Sequence, residues 1–271
     1  MLPNFIIIGA ARCGTTYISS NLKTHPNIFL APKKELHFFD RDYDQGLEYY
    51  EKYFPENESN QFSAVGEATP AYLYFEEVPK RIFHALPNCK LIASLRNPID
   101  AAYSMYWKAF SVDERTRAIT FEEKLKRDQR LINGGLYFEQ LSRYTTLFPR
   151  ENLHVIIYEE LTANPEEHFK QLFKFLNVDQ EFTPPFLRTK VNSSAMKNSE
   201  HRFLYHAHRI LFKKLNLPFP TLANLVENNF SAKIPPMSQE TRSFLYKHFK
   251  EDMMRLEEFL DKDLDSWKPD S

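Results

Sequence analysis

A chain of 271 residues can bury a full α/β core, and 42% apolar with 26% charged residues is ordinary for a globular protein. The net charge of −1 excludes a global electrostatic pull toward nucleic acid or an anionic membrane, so any anion site has to be local. Two cysteines exclude a disulfide framework and predict a reducing compartment, the cytoplasm; the sequence has neither a signal-peptide pattern nor an apolar stretch that could span a bilayer.

The first element is the most informative. Phe5-Ile6-Ile7-Ile8 is an apolar run ending at Gly9, a turn through Arg12 and Cys13 follows, and Gly14 opens a helix carrying Ile18 and Leu22. Strand, loop and helix start turn backbone N–H groups and the positive end of a helix toward a phosphate. Gly9 and Gly14 have P-loop spacing, but Walker A needs Lys directly after the second glycine, where this chain has Thr15 and then Thr16. The cation lies inside the turn, as Arg12, whose guanidinium can hold an anion through two parallel bonds. Cys13 has a setting that can lower a thiol pKa, although a small side chain filling the turn is the plainer reading.

This helix closes near His25-Pro26. The segment Lys33-Lys34-Glu35-Leu36-His37-Phe38-Phe39-Asp40 has no clear period and reads as a loop. Leu47, Tyr50 and Phe54 predict a short helix, Ser63 to Gly66 a short strand ending before Glu67, and Val78, Ile82, Phe83 and Leu86 another helix. Lys90 to Leu95 reads as a strand buried on both faces. It ends at Arg96, with Asn97 as the N-cap and Pro98 as the first residue of the next helix. Ser104 falls about two turns into that helix. An Arg at a strand tip and a hydroxyl on the next helix can pinch one phosphate.

Phe121 and Leu125 suggest a short helix in a charged stretch closed by Gly134-Gly135, and Tyr137 to Phe148 a further helix. Leu153 to Tyr158 is a third strong strand, followed by Asn164-Pro165 as a capped start to a helix with Phe169, Leu172, Phe173 and Leu176 on one face. Beyond Phe182 the pattern weakens, with a basic aromatic helix around His201 to Leu215. Ser238 caps a last helix whose apolar face holds Leu245, Phe249, Met253, Leu256 and Leu260. Strands alternating with helices predict an α/β fold: one domain over residues 1–271, with a central parallel sheet and helices on both faces.

Together, the stretches around Arg12 and Arg96 resemble the sulfotransferases that use 3′-phosphoadenosine 5′-phosphosulfate. The nearest likeness is to the heparan sulfate N- and 3-O-sulfotransferase type and its bacterial relatives. It extends through Lys34 to Asp40, Gly46 to Tyr50, Thr69 to Tyr72 and Leu147 to Pro149, and so covers residues 5–178. The resemblance implies a P-loop NTPase-like topology and a metal-free reaction. It places Arg12, Cys13, Gly14, Thr15 and Thr16 around the 5′-phosphosulfate and Arg96 and Ser104 on the 3′-phosphate. A loop with Lys190, Asn192, Ser193 and Lys197 is expected to fold over the nucleotide.

The implied reaction is in-line transfer of the sulfuryl group to an acceptor hydroxyl on a carbohydrate, polyketide, lipid or other small molecule. Arg12 would stabilise the leaving group and Glu35 act as base, with Glu67 in support. His37 would orient the acceptor or replace Glu35. The aromatic pair Phe38-Phe39 is expected to desolvate Glu35 and raise its pKa. Two departures matter. Arg12 stands where the glycosaminoglycan enzymes usually have Lys, and Ala68 where they have an active-site Lys, which argues against a polyanionic acceptor. The residues leave two other readings open: a P-loop kinase or NTPase, which needs a Lys after Gly14 and an acidic strand tip for magnesium, and a non-catalytic nucleotide-binding module. Nothing in the sequence has the His/Cys/Asp spacing of a metal site.

Overall fold

The computed structural model describes residues 1–56, 61–187, 196–197, 231–232 and 234–268. Five strands form its main sheet: β1 (Phe5–Gly9), β2 (Ile28–Leu30), β3 (Ala64–Ala68), β4 (Lys90–Leu95) and β5 (Leu153–Ile157). They lie in the order β2-β3-β1-β4-β5, and every pair is parallel. β1 is central and buried at every residue, which is why it reads as a continuous apolar run rather than an alternation. Phe5 lies opposite Gly66 and Lys90, and Ile7 opposite Ala68 and Ile92. Because the strands run the same way, their C-terminal ends gather on one edge, where open α/β sheets bind ligands.

Helices α1 (Thr15–Leu22), α2 (Leu47–Glu51), α3 (Val78–Ala85), α4 (Pro98–Val112), α5 (Glu114–Arg117), α6 (Phe121–Arg127), α7 (Arg130–Asn133), α8 (Tyr137–Thr145), α9 (Tyr158–Ala163), α10 (Pro165–Leu176) and α11 (Gln239–Leu260) surround this sheet. Alternate strand residues point to opposite faces. Ile6, Ile8, Leu91 and Ala93 pack with Ile82, Ile99, Leu141, Leu245 and Phe249 of α3, α4, α8 and α11. Phe5, Ile7, Ile92 and Ile156 pack with Ile18, Leu22, Phe169 and Phe173 of α1 and α10. Helices therefore cover both faces, as expected. Among the described residues no helix is long and apolar enough to cross a membrane.

The predicted caps form where the signal is local. Asn97 Oδ1 accepts from the Ile99 N–H at 3.0 Å, and Ser238 Oγ from the Thr241 N–H at 3.1 Å. Asn164 occupies the cap position of α10, but its side chain makes no capping bond. The C-terminal segment returns to the sheet. Asp252 on α11 accepts from the Phe138 and Glu139 N–H groups, both at 3.0 Å, at the start of α8. Trp267 is fully buried; its indole donates to Glu159 Oε2 at 3.2 Å and its carbonyl accepts from Asn97 Nδ2 at 3.2 Å.

Several elements differ from the sequence reading. β2 has three residues, too few for a period to show, and α9 stands between β5 and α10. The charged stretch after α4 holds α5, α6 and α7, with a capping box at Thr120 and Glu123 starting α6. β3 runs on to Ala68, so Glu67 lies within the strand, opposite Ile6, rather than after it. The loop from Lys33 ends at His37, and Phe38–Asp42 forms a π-helical turn. Met196–Lys197 and Ser231–Ala232 form a small antiparallel pair, β6 and β7. Lys190, Asn192 and Ser193, and the helix expected around His201 to Leu215, lie outside the described residues.

Candidate active site

The turn after β1 is shaped by its glycines. Gly14 has φ +82°, and a Cβ there would stand 2.5 Å from Tyr158 Cδ2 at the start of α9. Only glycine meets both demands. α1 begins at Thr15 with no side-chain cap and no acidic residue in its first turn, which suits it to an external anion. Across the sheet edge, Ser94 Oγ donates to the Cys13 carbonyl at 2.5 Å and the Ala10 N–H to the Ser94 carbonyl at 2.7 Å. Cys13 itself is fully buried, 3.5 Å from the Tyr137 hydroxyl, and burial pushes its thiol up to about 12. The setting that lowers a thiol pKa does not operate here, and Cys13 fills the turn.

Arg12 has φ +67° and its Nε donates to Ser104 Oγ on α4 at 3.1 Å. Burial, and next the charge of Arg96, hold the Arg12 pKa below its usual value. The Arg96 guanidinium lies 5.3 Å from the centre of the Tyr158 ring, the same ring that packs against Gly14. The two anion motifs therefore meet in one basic cluster. The sequence reading pairs Ser104 with Arg96; here the Ser104 hydroxyl takes a bond from Arg12, out of the first motif.

The Lys33–His37 loop lies across the end of β3. The Glu35 N–H donates to the Ala68 carbonyl at 3.2 Å and the His37 N–H to Thr69 Oγ1 at 3.5 Å, with φ +57° at both Glu35 and His37. His37 Nδ1 lies 2.9 Å from Asp40 Oδ2, and its Nε2 lies 3.7 Å from Glu35 Oε2. The Asp40 side chain is fully buried and its Oδ1 has no partner. On the other side of Glu35, Lys34 Nζ is 3.5 Å from Oε1 and donates to Thr16 Oγ1 at 2.7 Å. A carboxylate thus stands between an imidazole and an ammonium, one contact away from the phosphate loop.

Phe38 and Phe39 do not desolvate Glu35. Phe38 stacks on Tyr50 at 4.4 Å and Phe39 meets Tyr72 edge-on at 5.6 Å, both in the core, while the Glu35 side chain stays 41% exposed. The Tyr72 hydroxyl accepts from the Phe38 and Phe39 N–H groups at 2.9 and 3.3 Å, and this tether turns the pair inward. Glu67 is fully buried and accepts from the Tyr50 hydroxyl at 3.0 Å and Thr69 Oγ1 at 2.6 Å. Burial raises its pKa to about 7 against the opposing pull of those bonds. Glu67 is joined to His37 through Thr69, one layer behind the cleft.

Sequence reasoning assigns no ligand-binding or catalytic part to Lys34, Asp40, Ser94 or Tyr158. A His followed three positions later by Asp is a signal that could have found Asp40. Ser94 and Tyr158 meet the loop only through the sheet, and no local pattern marks them.

Membrane-associated sulfotransferase kil1 of Dictyostelium discoideum is 24% identical, over 97% of this chain and 66% of its own length. Human heparan sulfate glucosamine 3-O-sulfotransferase 5 is 33% identical, over 65% of this chain and 54% of its own length. The chain thus spans between about half and two thirds of the length of these curated relatives. The crystal structure of a sulfotransferase from Alicyclobacillus acidocaldarius is similar at a TM-score of 0.72 and 26% identity, covering 99% of this chain and 100% of that one. A match to the sulfotransferase domain runs through residues 2–209, across both anion motifs and all of the main sheet, and the chain belongs to the sulfotransferase family.

Proposed function

We propose that this protein transfers the sulfuryl group of 3′-phosphoadenosine 5′-phosphosulfate to an acceptor hydroxyl. The observation that carries this reading is the bond from Arg12 to Ser104 beside Arg96, which makes one basic pocket of two motifs. Such a pocket suits a nucleotide with an anionic group on each side of the ribose. The N–H groups from Gly14 to Thr16 hold the 5′-phosphosulfate, and Arg96 with Ser104 holds the 3′-phosphate. The acceptor oxygen forms its bond to sulfur as the bond from sulfur to the 5′-phosphate oxygen breaks. Glu35 takes the hydroxyl proton, and Arg12 stabilises the charge that grows on the departing oxygen. His37, held by Asp40, orients the acceptor, and Glu67 braces the turn that carries it. Adenosine 3′,5′-bisphosphate leaves.

Ala68 favours an acceptor less anionic than a heparan chain: a carbohydrate, lipid or other small-molecule hydroxyl. The packing of α11 and Trp267 against the sheet supports one domain over residues 1–271, and two free, buried cysteines support a cytoplasmic setting. Calorimetry with the bisphosphate and with magnesium ATP, combined with a transfer assay over a panel of hydroxyl acceptors in chelator, tests the reading. Metal-independent binding of the bisphosphate with acceptor-dependent transfer is expected. Preference for magnesium ATP would return the protein to the kinase reading.

A further inference from the structure

The Ala68 position leaves β3 without a cation for the cleft: its side chain is 7% exposed and packs with the α1 and α10 core. A lysine from the loop that crosses the end of β3 reaches the start of α1. Lys34 Nζ donates to Thr16 Oγ1 at 2.7 Å and lies 3.5 Å from Glu35 Oε1. Its side chain is 48% exposed, so the ammonium sits at the mouth of the phosphate loop with donors left over. The neighbouring Lys33 is turned elsewhere, over the Tyr53 ring at 5.2 Å. Arg12 spends its Nε on Ser104.

The position of Lys34 has a chemical meaning. Thr16 belongs to the first turn of α1, proposed above to hold the 5′-phosphosulfate, and Glu35 is the base proposed for the incoming hydroxyl. The sulfuryl group lies between those two during in-line transfer. An ammonium fixed between Thr16 and Glu35 therefore faces the sulfonate oxygens, which carry negative charge throughout the displacement. We propose that Lys34 is the sulfonate-binding cation of this enzyme, supplied by the loop before Glu35 in place of the lysine absent from β3. This inference rests on the sulfotransferase reading above.

Adenosine 3′,5′-bisphosphate lacks the sulfonate, so it serves as the control ligand. Affinities of the bisphosphate and of the phosphosulfate donor, without acceptor, are compared by calorimetry for wild type, Lys34→Ala and Lys34→Arg. Loss of one charge-assisted bond in Lys34→Ala should weaken donor binding by about tenfold or more and leave bisphosphate binding unchanged. Lys34→Arg should keep most of the donor affinity. Unchanged bisphosphate binding also certifies that each variant is folded. Equal loss for both ligands, or loss for neither, would overturn the assignment. A shifted pH profile of turnover with unchanged donor affinity would overturn it too, because Lys34 would then act only through Glu35. Wild-type protein that binds neither nucleotide would overturn the sulfotransferase reading itself, and the inference with it.

Discussion

Arg12 Nε and Ser104 Oγ meet at 3.1 Å although 92 positions separate them in the chain. The contact links the turn after β1 to the helix after β4, so the two halves of the proposed nucleotide site are joined by a direct bond. Arg12→Ala and Ser104→Ala should each weaken binding of the bisphosphate. The double variant should lose less than the sum, by about 0.5–3 kcal/mol, in a calorimetric double-mutant cycle. Strict additivity would mean that the contact has no part in holding the pocket together.

Arg96 should discriminate by the 3′-phosphate. Arg96→Ala is expected to weaken the bisphosphate by about tenfold or more while scarcely affecting its 3′-dephospho analogue. An equal loss for both ligands would move Arg96 off the 3′-phosphate.

Glu35→Gln should abolish transfer and leave bisphosphate binding intact, since only the proton acceptor is removed. Asp40→Asn should reduce turnover without removing it, because His37 loses the anionic partner at 2.9 Å that fixes its ring. Near-normal turnover in Glu35→Gln, together with loss in His37→Ala, would transfer the role of base to His37.

Glu67 gives a stability signature with a defined sign. Its pKa of about 7 lies above the 4.5 of a free glutamate, so between those pH values the folded state binds more protons than the unfolded one. Stability contributed at low pH is therefore lost as pH rises toward about 7, and Glu67→Gln should remove that decline. His154, buried and lowered to about 4 from 6.5, tilts the curve the other way over much of the same range. The difference between variant and wild-type melting temperatures from pH about 4.5 to about 7 is thus the quantity to measure. A difference independent of pH would show that folding does not raise the Glu67 pKa.

Gly14→Ala should lower the melting temperature and weaken nucleotide binding together. The new methyl group would enter the Tyr158 ring at a backbone angle unfavourable to L residues. A variant with normal stability and affinity would show that the turn can move away from Tyr158.

What the sequence makes legible here is what is contiguous. β1, β4 and β5 are apolar runs, Asn97-Pro98 is a helix start written in two residues, and the phosphate loop is a single stretch, so all are readable. β2 is too short to show a period, and α9 follows β5 with no turn residue between them. The site is legible as residues more than as contacts. Glu35 and His37 stand out in their segment, but the direction of Phe38 and Phe39 is set by the Tyr72 hydroxyl from beyond β3. Likewise nothing local to Lys34 announces Thr16, or local to Tyr158 announces Gly14. Such pairings depend on strand order and loop path, which a linear pattern does not carry.

Trp267 is hydrogen-bonded to Asn97, the residue after Arg96, and to Glu159, the residue after Tyr158. It is therefore bonded to the immediate chain neighbours of Arg96 and Tyr158, which lie together at the proposed nucleotide site. The chain has two tryptophans, the other being Trp107 on α4. With Trp107→Phe, the emission of Trp267 is expected to serve as a label-free optical probe of Arg96 and Tyr158, and a change on adding the bisphosphate in a stopped-flow instrument would time its arrival at the proposed site.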